Sequence, residues 1–351
     1  MIRRTILGRH SALVRLNGGH RGLHPCCRTI REAGGVDGGL DLDLLAAADA
    51  RIQGLPELRN TESLVVVHRG EVVFERYYRG RSPEDLADTH SVTKSFTSAV
   101  VGALVTDGTL DLDTPVASVL HAAVTSDVAT GEVTVRHLLT MTSGLPADGR
   151  WELCEGALHG GSWIETMLGA PLRSAPGAEY AYNNGAVQLL SAVVRQVAGA
   201  SFGTVAAQRL LGPLGVDRYE WPVDPEGHEI ASGHLLMTPR DMAKLGLLFL
   251  RDGEWDGAQL IDAGYVDAAT ARQAPGRPFP EGVGYGYLWW VDDLACPPTF
   301  FAGGHGGQYI YVVPAFDLVV VTTANAYAES RPFGRALRTL IESYVVRAVR
   351  S

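Results

Sequence analysis

Residues 90–96 read His-Ser-Val-Thr-Lys-Ser-Phe and are the most informative stretch of this chain. Ser91 precedes Lys94 by three residues, at the start of an apolar segment with helical character. Lysine is scarce elsewhere, because 28 of the 30 basic residues are arginines and the only other lysine is Lys244. Arginine keeps its proton in a protein, whereas a desolvated lysine can release it. A lysine kept one helical turn from a hydroxyl therefore predicts a Ser-x-x-Lys nucleophile.

The bulk composition indicates a globular protein. The chain has 351 residues, of which 46% are apolar, and this is enough for one large core or two interleaved ones. A net charge of −9 and no basic run in the main body argue against a nucleic-acid partner. No apolar run approaches the roughly 20 residues of a membrane span. The oligomeric state does not follow from the sequence.

The four cysteines show no metal-ligand spacing, and they stand at Cys26, Cys27, Cys154 and Cys296. The sequence therefore predicts free thiols in a reducing compartment. It implies no metal or organic cofactor.

The first 36 residues differ from the rest, with seven arginines against one acid, Glu32. No apolar stretch of about 7–15 residues follows Arg3 and Arg4, so a secretion signal is not predicted. We expect residues 1–36 to be a disordered basic extension, or the product of a start codon chosen too far upstream. A cytoplasmic location is expected, with export open if the true start lies elsewhere.

The order of predicted elements indicates an α+β fold. Helices are predicted near both ends of residues 37–351, and a helix- and loop-rich region occupies the middle. A hairpin is predicted at residues 63–78, and later strands at residues 284–291, 308–313 and 318–323. This order favours an antiparallel sheet flanked by N- and C-terminal helices, with an inserted helical domain. The predicted division is a sheet subdomain (about 37–90 and 225–351) and a helical subdomain (about 91–224), with the active site between them.

The helix predicted to open at Ser91 carries a polar stripe. Lys94, Ser95 and Ser98 follow Ser91 at positions that share one helical face. The other positions are apolar, so the stripe needs polar partners, and a catalytic cleft would supply them. The alternative is a solvated lysine on a surface helix.

Two further segments complete a candidate site. Tyr182-x-Asn184 precedes an apolar helix, and it offers a hydroxyl for proton transfer and an amide to hold Lys94 or a substrate carbonyl. The alternatives are a core tyrosine and an N-cap role for Asn184. Residues 302–308 read Ala-Gly-Gly-His-Gly-Gly-Gln and open a predicted hairpin. Their glycines would allow a close approach of the chain, so that a backbone N–H there and the N–H of Ser91 form an oxyanion hole, or they would simply permit a bulge.

These three elements, in this order, resemble the serine β-lactamase and penicillin-binding-protein superfamily. The nearest resemblance is to class C β-lactamases with their related esterases, D-aminopeptidases and 6-aminohexanoate-dimer hydrolases. The superfamily motifs S-x-x-K, Y-x-N and K-T-G (often H-x-G) match Ser91/Lys94, Tyr182/Asn184 and residues 305–307. The stretches at residues 135–145, 241–246 and 284–290 are similar as well, so the resemblance covers roughly residues 40–345.

The resemblance implies an acyl-enzyme mechanism on a small-molecule ester or amide. Ser91 would attack the carbonyl with help from Lys94 and Tyr182. The N–H groups of Ser91 and Gln308 would hold the oxyanion. The implied substrate-binding residues are Asn184, His305, Gly306 and Gly307.

One departure from the superfamily bears on the substrate. His305 stands where β-lactamases and transpeptidases carry a lysine, and a neutral imidazole binds a substrate carboxylate more weakly than a fixed positive charge does. The sequence therefore favours an ester or a non-β-lactam amide over a β-lactam, unless His305 is only a hydrogen-bonded cleft residue. Three alternatives stay open: a transacylase using the same acyl-enzyme, a β-lactamase or D-amino peptidase, and a non-catalytic sensor of acyl ligands.

Overall fold

The computed structural model describes residues 39–120, 131–147, 162–277, 282–327 and 333–349. The predicted extension at residues 1–36 lies outside this part of the chain. The strands are β1 (Thr61–His68), β2 (Glu71–Tyr77), β3 (Ala87–Asp88), β4 (Tyr219–Glu220), β5 (Leu236–Met237), β6 (Glu254–Trp255), β7 (Ala258–Gln259), β8 (Gly284–Tyr285), β9 (Trp290–Asp292), β10 (Thr299–Gly304), β11 (Gln308–Val313) and β12 (Leu318–Ala324).

The α-helices are α1 (Leu42–Gly54), α2 (Thr93–Thr106), α3 (Val116–Leu120), α4 (Val135–Leu139), α5 (Trp163–Leu168), α6 (Asn184–Ala198), α7 (Phe202–Ala206), α8 (Pro239–Leu250), α9 (Ala263–Ala269), α10 (Phe333–Leu340) and α11 (Val346–Ala348). A short 3-10 turn, His90–Val92, leads into α2. Among the described residues no single helix is long and apolar enough to cross a membrane, although α6 and the segment Phe202–Leu211, bent by 76°, pass that test as a pair.

Seven strands form one antiparallel sheet in the order β2-β1-β12-β11-β10-β9-β8. Successive side chains of a strand point to opposite faces of the sheet. The contacts of two adjacent residues of β11, Ile310 and Tyr311, therefore show which helices cover the two faces. Gly246 of α8 lies against Ile310, because a Cβ on this glycine would come within 2.8 Å of the Ile310 side chain. The next residue, Tyr311, donates to Glu342 near the C-terminus. Helix α8 therefore covers one face of the sheet and the C-terminal helical segment covers the other, which confirms the predicted α+β fold.

Helix α2 forms the centre of the molecule, since every residue from Thr93 to Leu104 is buried. A helix that is enclosed on all sides in this way is held by packing on every face. Ser91 lies in the 3-10 turn before α2, so the prediction that Ser91 itself opens the α-helix was wrong by two residues.

The single strand predicted over residues 284–291 was also wrong. This stretch forms two paired strands, β8 and β9, with Tyr285 opposite Trp290. The backbone between them bonds to helical segments instead of the sheet: Tyr287 N–H donates to Ala269 O, and Leu288 N–H donates to Leu139 O. Leu288 also has φ +60°, which ends an extended conformation.

Cys296 is bonded in a disulfide, so the prediction of free thiols was wrong for this residue. The other three cysteines lie outside the described residues. Cysteines that are far apart in the chain pair only when the fold brings them together, and sequence spacing does not reveal this.

Candidate active site

Ser91 sits at the entrance to α2 in a turn built by neighbouring polar groups. Asp88 accepts a hydrogen bond from the backbone N–H of His90 (2.8 Å), and Thr93 Oγ1 donates to the His90 carbonyl (2.6 Å). These bonds hold His90 at φ +47°. Ser91 is half-buried, whereas the residues on either side are buried, so it is more accessible than its neighbours in this turn.

Lys94 lies directly beneath this hydroxyl and is only 1% exposed. Its Nζ is 3.1 Å from Ser91 Oγ, 2.7 Å from Asn184 Oδ1 and 2.6 Å from the carbonyl oxygen of Ser232. All three neighbours are neutral oxygens. The structure thus brings together the serine, lysine and asparagine that the motifs predict.

The roles of Asn183 and Asn184 differ from the simplest sequence interpretation. Asn183, not Asn184, is the N-cap of α6, and its side chain accepts from the N–H of Ala186 (3.0 Å). The same side chain donates to the carbonyls of Leu145 and Pro146. Asn184 is the first residue of the helix, and its amide oxygen is therefore free to accept from Lys94.

An aromatic wall stands beside Lys94. The Tyr182 ring centroid is 4.9 Å from Lys94 Nζ, and the ring stacks on Trp290 with centroids 5.8 Å apart and planes at 9°. Tyr285 packs edge-on against both rings. Trp289, the residue before β9, packs against Phe249 and Phe300 and is fully buried. Of the adjacent tryptophans, only Trp290 lines the site.

Strand β10 comes very close, at Gly304, to the start of the 3-10 turn that carries Ser91. A Cβ on Gly304 would lie 2.5 Å from the backbone oxygen of Thr89, closer than real contacts allow. Gln308 pairs with Gly304 across the hairpin. Its buried side chain donates to the carbonyls of Ala324 and His305 and accepts from the N–H of Ala324. The side chain of Gln308 is thus engaged within the sheet, where β11 lies between β10 and β12.

The turn between β10 and β11 contains the third motif. Gly306 and Gly307 have positive φ angles (80° and 105°), which glycine adopts without strain. A Cβ on Gly306 would come within 2.7 Å of Ala326, and one on Gly307 within 2.5 Å of Leu337. The backbone of these two glycines therefore packs tightly against neighbouring chain. His305, between Gly304 and Gly306, lies with its ring centroid 5.9 Å from that of His90.

Two serines of the predicted polar stripe do not belong to the site. Ser95 Oγ donates to the carbonyl of Leu288 (2.8 Å), and Ser98 Oγ pairs with the hydroxyl of Tyr265 (3.0 Å). Both serines are buried, and their hydroxyls anchor the segments packed on α2. The stripe thus divides into Ser91 and Lys94, which contact each other at the candidate site, and two serines that bond to packed segments.

Comparison with known proteins agrees with this geometry. The model of the family described as Beta-lactamase matches residues 48–343. The chain belongs to this family. The resemblance drawn from the three motifs is thereby confirmed.

Several relatives in and around the Beta-lactamase family are similar over most of the chain. The 6-aminohexanoate-dimer hydrolase of Paenarthrobacter ureafaciens is 28% identical over 306 residues, which cover 79% of this chain and 77% of that protein. Penicillin-binding protein 4 of Amycolatopsis lactamdurans is 25% identical, covering 79% of this chain and 80% of its own length. The solved structure of EstCE1, described as a hydrolase with promiscuous acyltransferase activity, superposes with a TM-score of 0.71 at 18% identity, over 89% of this chain and 99% of that one.

A cluster that the sequence analysis missed adjoins the family motifs. Asp88 Oδ2 lies 2.9 Å from His234 Nδ1, 3.7 Å from His90 Nε2 and 3.0 Å from the Tyr327 hydroxyl. Burial alone would raise the pKa of the Asp88 carboxyl, but the hydrogen bonds from His234 and from the His90 N–H hold that pKa at about 2. The sequence offers little sign of this cluster, because Asp88 and His234 are 146 positions apart.

Proposed function

We propose that this protein is a serine hydrolase that cleaves an ester or a non-β-lactam amide of a small molecule through an acyl-enzyme on Ser91. The observation that carries the proposal is the set of three oxygens around Lys94 Nζ. Asn184 Oδ1 and the Ser232 carbonyl only accept hydrogen bonds, whereas the Ser91 hydroxyl can also donate one. A neutral amine has two hydrogens and one lone pair, so this arrangement aims the lone pair at the serine proton.

Acylation then follows from the positions of these groups. As Ser91 Oγ bonds to the substrate carbonyl carbon, its proton passes to Lys94 Nζ. The backbone N–H groups of Ser91 and Gln308 are our candidates for the oxyanion hole. Because Gly304 has no side chain, β10 can come close to the turn that carries Ser91. Collapse of the tetrahedral intermediate breaks the bond to the leaving group, which takes the proton of Lys94 through Tyr182. Water then attacks the acyl-enzyme; its hydroxyl stays with the acyl group, one of its protons passes to Ser91 Oγ as the ester bond breaks, and the acid is released.

Two observations favour an ester or a linear amide over a β-lactam. His305 supplies no fixed positive charge for a substrate carboxylate, and its ring lies beside His90. The relative from Paenarthrobacter ureafaciens bears the name 6-aminohexanoate-dimer hydrolase, which is not that of a β-lactam hydrolase. The aromatic wall of Tyr182, Tyr285 and Trp290 provides an apolar surface for the acyl or leaving group.

The test is labelling with a fluorophosphonate probe followed by intact-mass measurement. Wild type is expected to gain one adduct, and Ser91→Ala none. Ser95→Ala is the matched control, because Ser95 lies on the same helix but donates to the Leu288 carbonyl, and this variant is expected to label like wild type. A folded wild type that takes no adduct would contradict the proposal and favour an acyl-binding protein.

Turnover is the second half of the test. We expect hydrolysis of nitrophenyl esters or linear amides, and hydrolysis of a chromogenic cephalosporin slower by about two orders of magnitude or more, since the site lacks the fixed charge for its carboxylate. Cephalosporin hydrolysis as fast as that of the best ester would overturn the substrate assignment while leaving the role of Ser91 intact.

A further inference from the structure

We propose that Asp88, His90 and His234 form a binding site for one Zn²⁺ ion at the edge of the cleft beside Ser91. Two imidazoles and one carboxylate are a donor set that zinc takes up in proteins, with a fourth position left to water or a small anion. This site is separate from the proposed acyl chemistry, which uses Ser91, Lys94 and Tyr182. Nothing in the proposal depends on the substrate.

The donor atoms already have nearly the spacing that zinc requires. Bonds of about 2.0–2.1 Å in a tetrahedron place neighbouring ligand atoms roughly 3.3–3.4 Å apart. Asp88 Oδ2 lies 2.9 Å from His234 Nδ1 and 3.7 Å from His90 Nε2, on either side of that value. All three donor atoms lie within 4.8 Å of one another. Small rotations of the side chains would bring them to the ion.

The backbone holds both histidines in a conformation that costs free energy. His90 has φ +47° and His234 has φ +66°, in the left-handed region that residues other than glycine seldom occupy. Each such residue costs on the order of 1 kcal/mol, and such residues concentrate at ligand and catalytic sites. Asp88 is the last residue of β3 and His234 lies two residues before β5, and the pairing of these two strands fixes their separation. Two strained residues that point their imidazoles at one carboxylate oxygen indicate a ligand at that point.

A second group of similar composition is a useful contrast. Asp224 lies near Glu226 and His228 with similar spacing. There, Asp224 Oδ1 accepts from the N–H groups of Glu226 and His228, and Oδ2 accepts from Gln188. The Asp224 side chain is fully buried, so its oxygens are committed to holding a loop. At Asp88 the partners of Oδ2 are an imidazole that would itself become a ligand and the exposed Tyr327 hydroxyl, which can turn away.

The site is also open to solvent. The His234 side chain is 48% exposed and the Asp88 side chain 22%, while His90 forms the buried floor at 10%. An ion can therefore enter without unfolding of the chain. When the ion binds, His234 Nδ1 loses its hydrogen bond to Asp88 and coordinates the metal instead. The proton on Nδ1 moves to Nε2 or to solvent.

The experiment measures Zn²⁺ binding to the metal-free full chain by equilibrium dialysis with elemental analysis. His234→Asn is the main variant, because asparagine tolerates a positive φ and so preserves the backbone. His228→Asn in the second group is the matched control. Asp88→Asn tests the carboxylate, and the thermal unfolding midpoint of each variant is measured with and without Zn²⁺.

We expect wild type and His228→Asn to bind one more equivalent of Zn²⁺ than His234→Asn and Asp88→Asn. Loss of a residue that only hydrogen-bonds to a metal ligand weakens metal binding by about 10–100-fold. Loss of a ligand itself should therefore weaken Zn²⁺ binding by at least about 10-fold. Zn²⁺ should raise the unfolding midpoint of wild type, and less so that of His234→Asn. Equal stoichiometry and affinity in wild type and His234→Asn, or loss of the equivalent in His228→Asn, would overturn the proposal. Ser91→Ala should bind Zn²⁺ like wild type, which separates this result from the proposed hydrolase function.

Discussion

Asn184 Oδ1 accepts a hydrogen bond from Lys94 Nζ at 2.7 Å, although the two residues are 90 positions apart. This bond joins the second motif to the first and orients the amine beneath Ser91. It is available because Asn183 takes the N-cap role and leaves the Asn184 amide free. The two neighbouring asparagines thus take different partners, since Asn183 caps α6 and Asn184 bonds to Lys94.

Replacement of Lys94 by arginine should slow acylation strongly. The guanidinium keeps the positive charge but cannot accept the serine proton, so we expect the rate of probe adduct formation to fall by about 10²–10⁴-fold. Lys244→Arg is the control, because this second lysine pairs with Asp241 and the Gly215 carbonyl away from Ser91, and its rate should match wild type. A Lys94→Arg protein that labels at the wild-type rate would exclude Lys94 as the base.

Substitution of the two asparagines should separate stability from activity. Asn183→Ala removes a helix cap, which costs about 0.5–2 kcal/mol, together with two bonds to the carbonyls of Leu145 and Pro146. It should lower the free energy of unfolding measured in urea. Asn184→Ala should instead slow acylation by about 10-fold or more, with a smaller loss of stability, because it removes one of the acceptors that orient Lys94. The opposite pattern would reverse our assignment of the two residues.

Gly304→Ala should disrupt the site through the backbone. The added methyl group would lie 2.5 Å from the Thr89 carbonyl oxygen. This clash should force β10 away from the turn that carries Ser91. Loss of one oxyanion donor costs about 10²–10³-fold in rate, and we expect a decrease of that size in acylation.

Gly303→Ala is the matched control for this change. Its methyl group would lie 3.4 Å from the nearest side-chain atoms, those of Trp290 and Tyr309, so the variant should fold and react nearly as wild type does. Equal acylation rates for the two alanine variants would show that the approach of β10 to Thr89 does not matter for the reaction.

Stability should increase with pH through the titration of His137. Burial, followed by the charge of Arg136, lowers the pKa of His137 below its usual 6.5. The neutral ring also accepts the Thr134 N–H at Nδ1 (3.1 Å). Between the lowered pKa and 6.5 the unfolded chain binds more protons than the folded one, so the free energy of unfolding falls as pH drops below about 6.5.

His137→Gln should flatten this dependence. The measurement is a set of urea unfolding curves of wild type and variant between pH 5 and 8, taken at steps of about half a unit. Above about pH 7.5 the two proteins should differ by a constant amount, since the histidine is neutral in both states there. An identical slope below pH 6.5 would assign the dependence to other groups, such as His68, whose pKa burial also lowers.

Local patterns predicted much of the fold correctly. The hairpin of β1 and β2 is confirmed, because a turn and the alternation of its strands are encoded within a few neighbouring residues. The region around residues 286–289 was predicted poorly, since its backbone bonds to α4 and α9, which are distant in the chain.

The sequence alone predicted the family and the α+β class correctly, and it singled out Ser91 and Lys94 as candidates, because these predictions depend on short motifs whose spacing has a chemical reason. It did not distinguish Asn183 from Asn184 or Trp289 from Trp290, since the roles of adjacent residues depend on which face the fold buries. The tertiary structure decided the third acceptor of Lys94, the carbonyl of Ser232, and the cluster around Asp88. Such contacts join residues more than 100 positions apart, and only the packing of sheet and helices brings them within bonding distance.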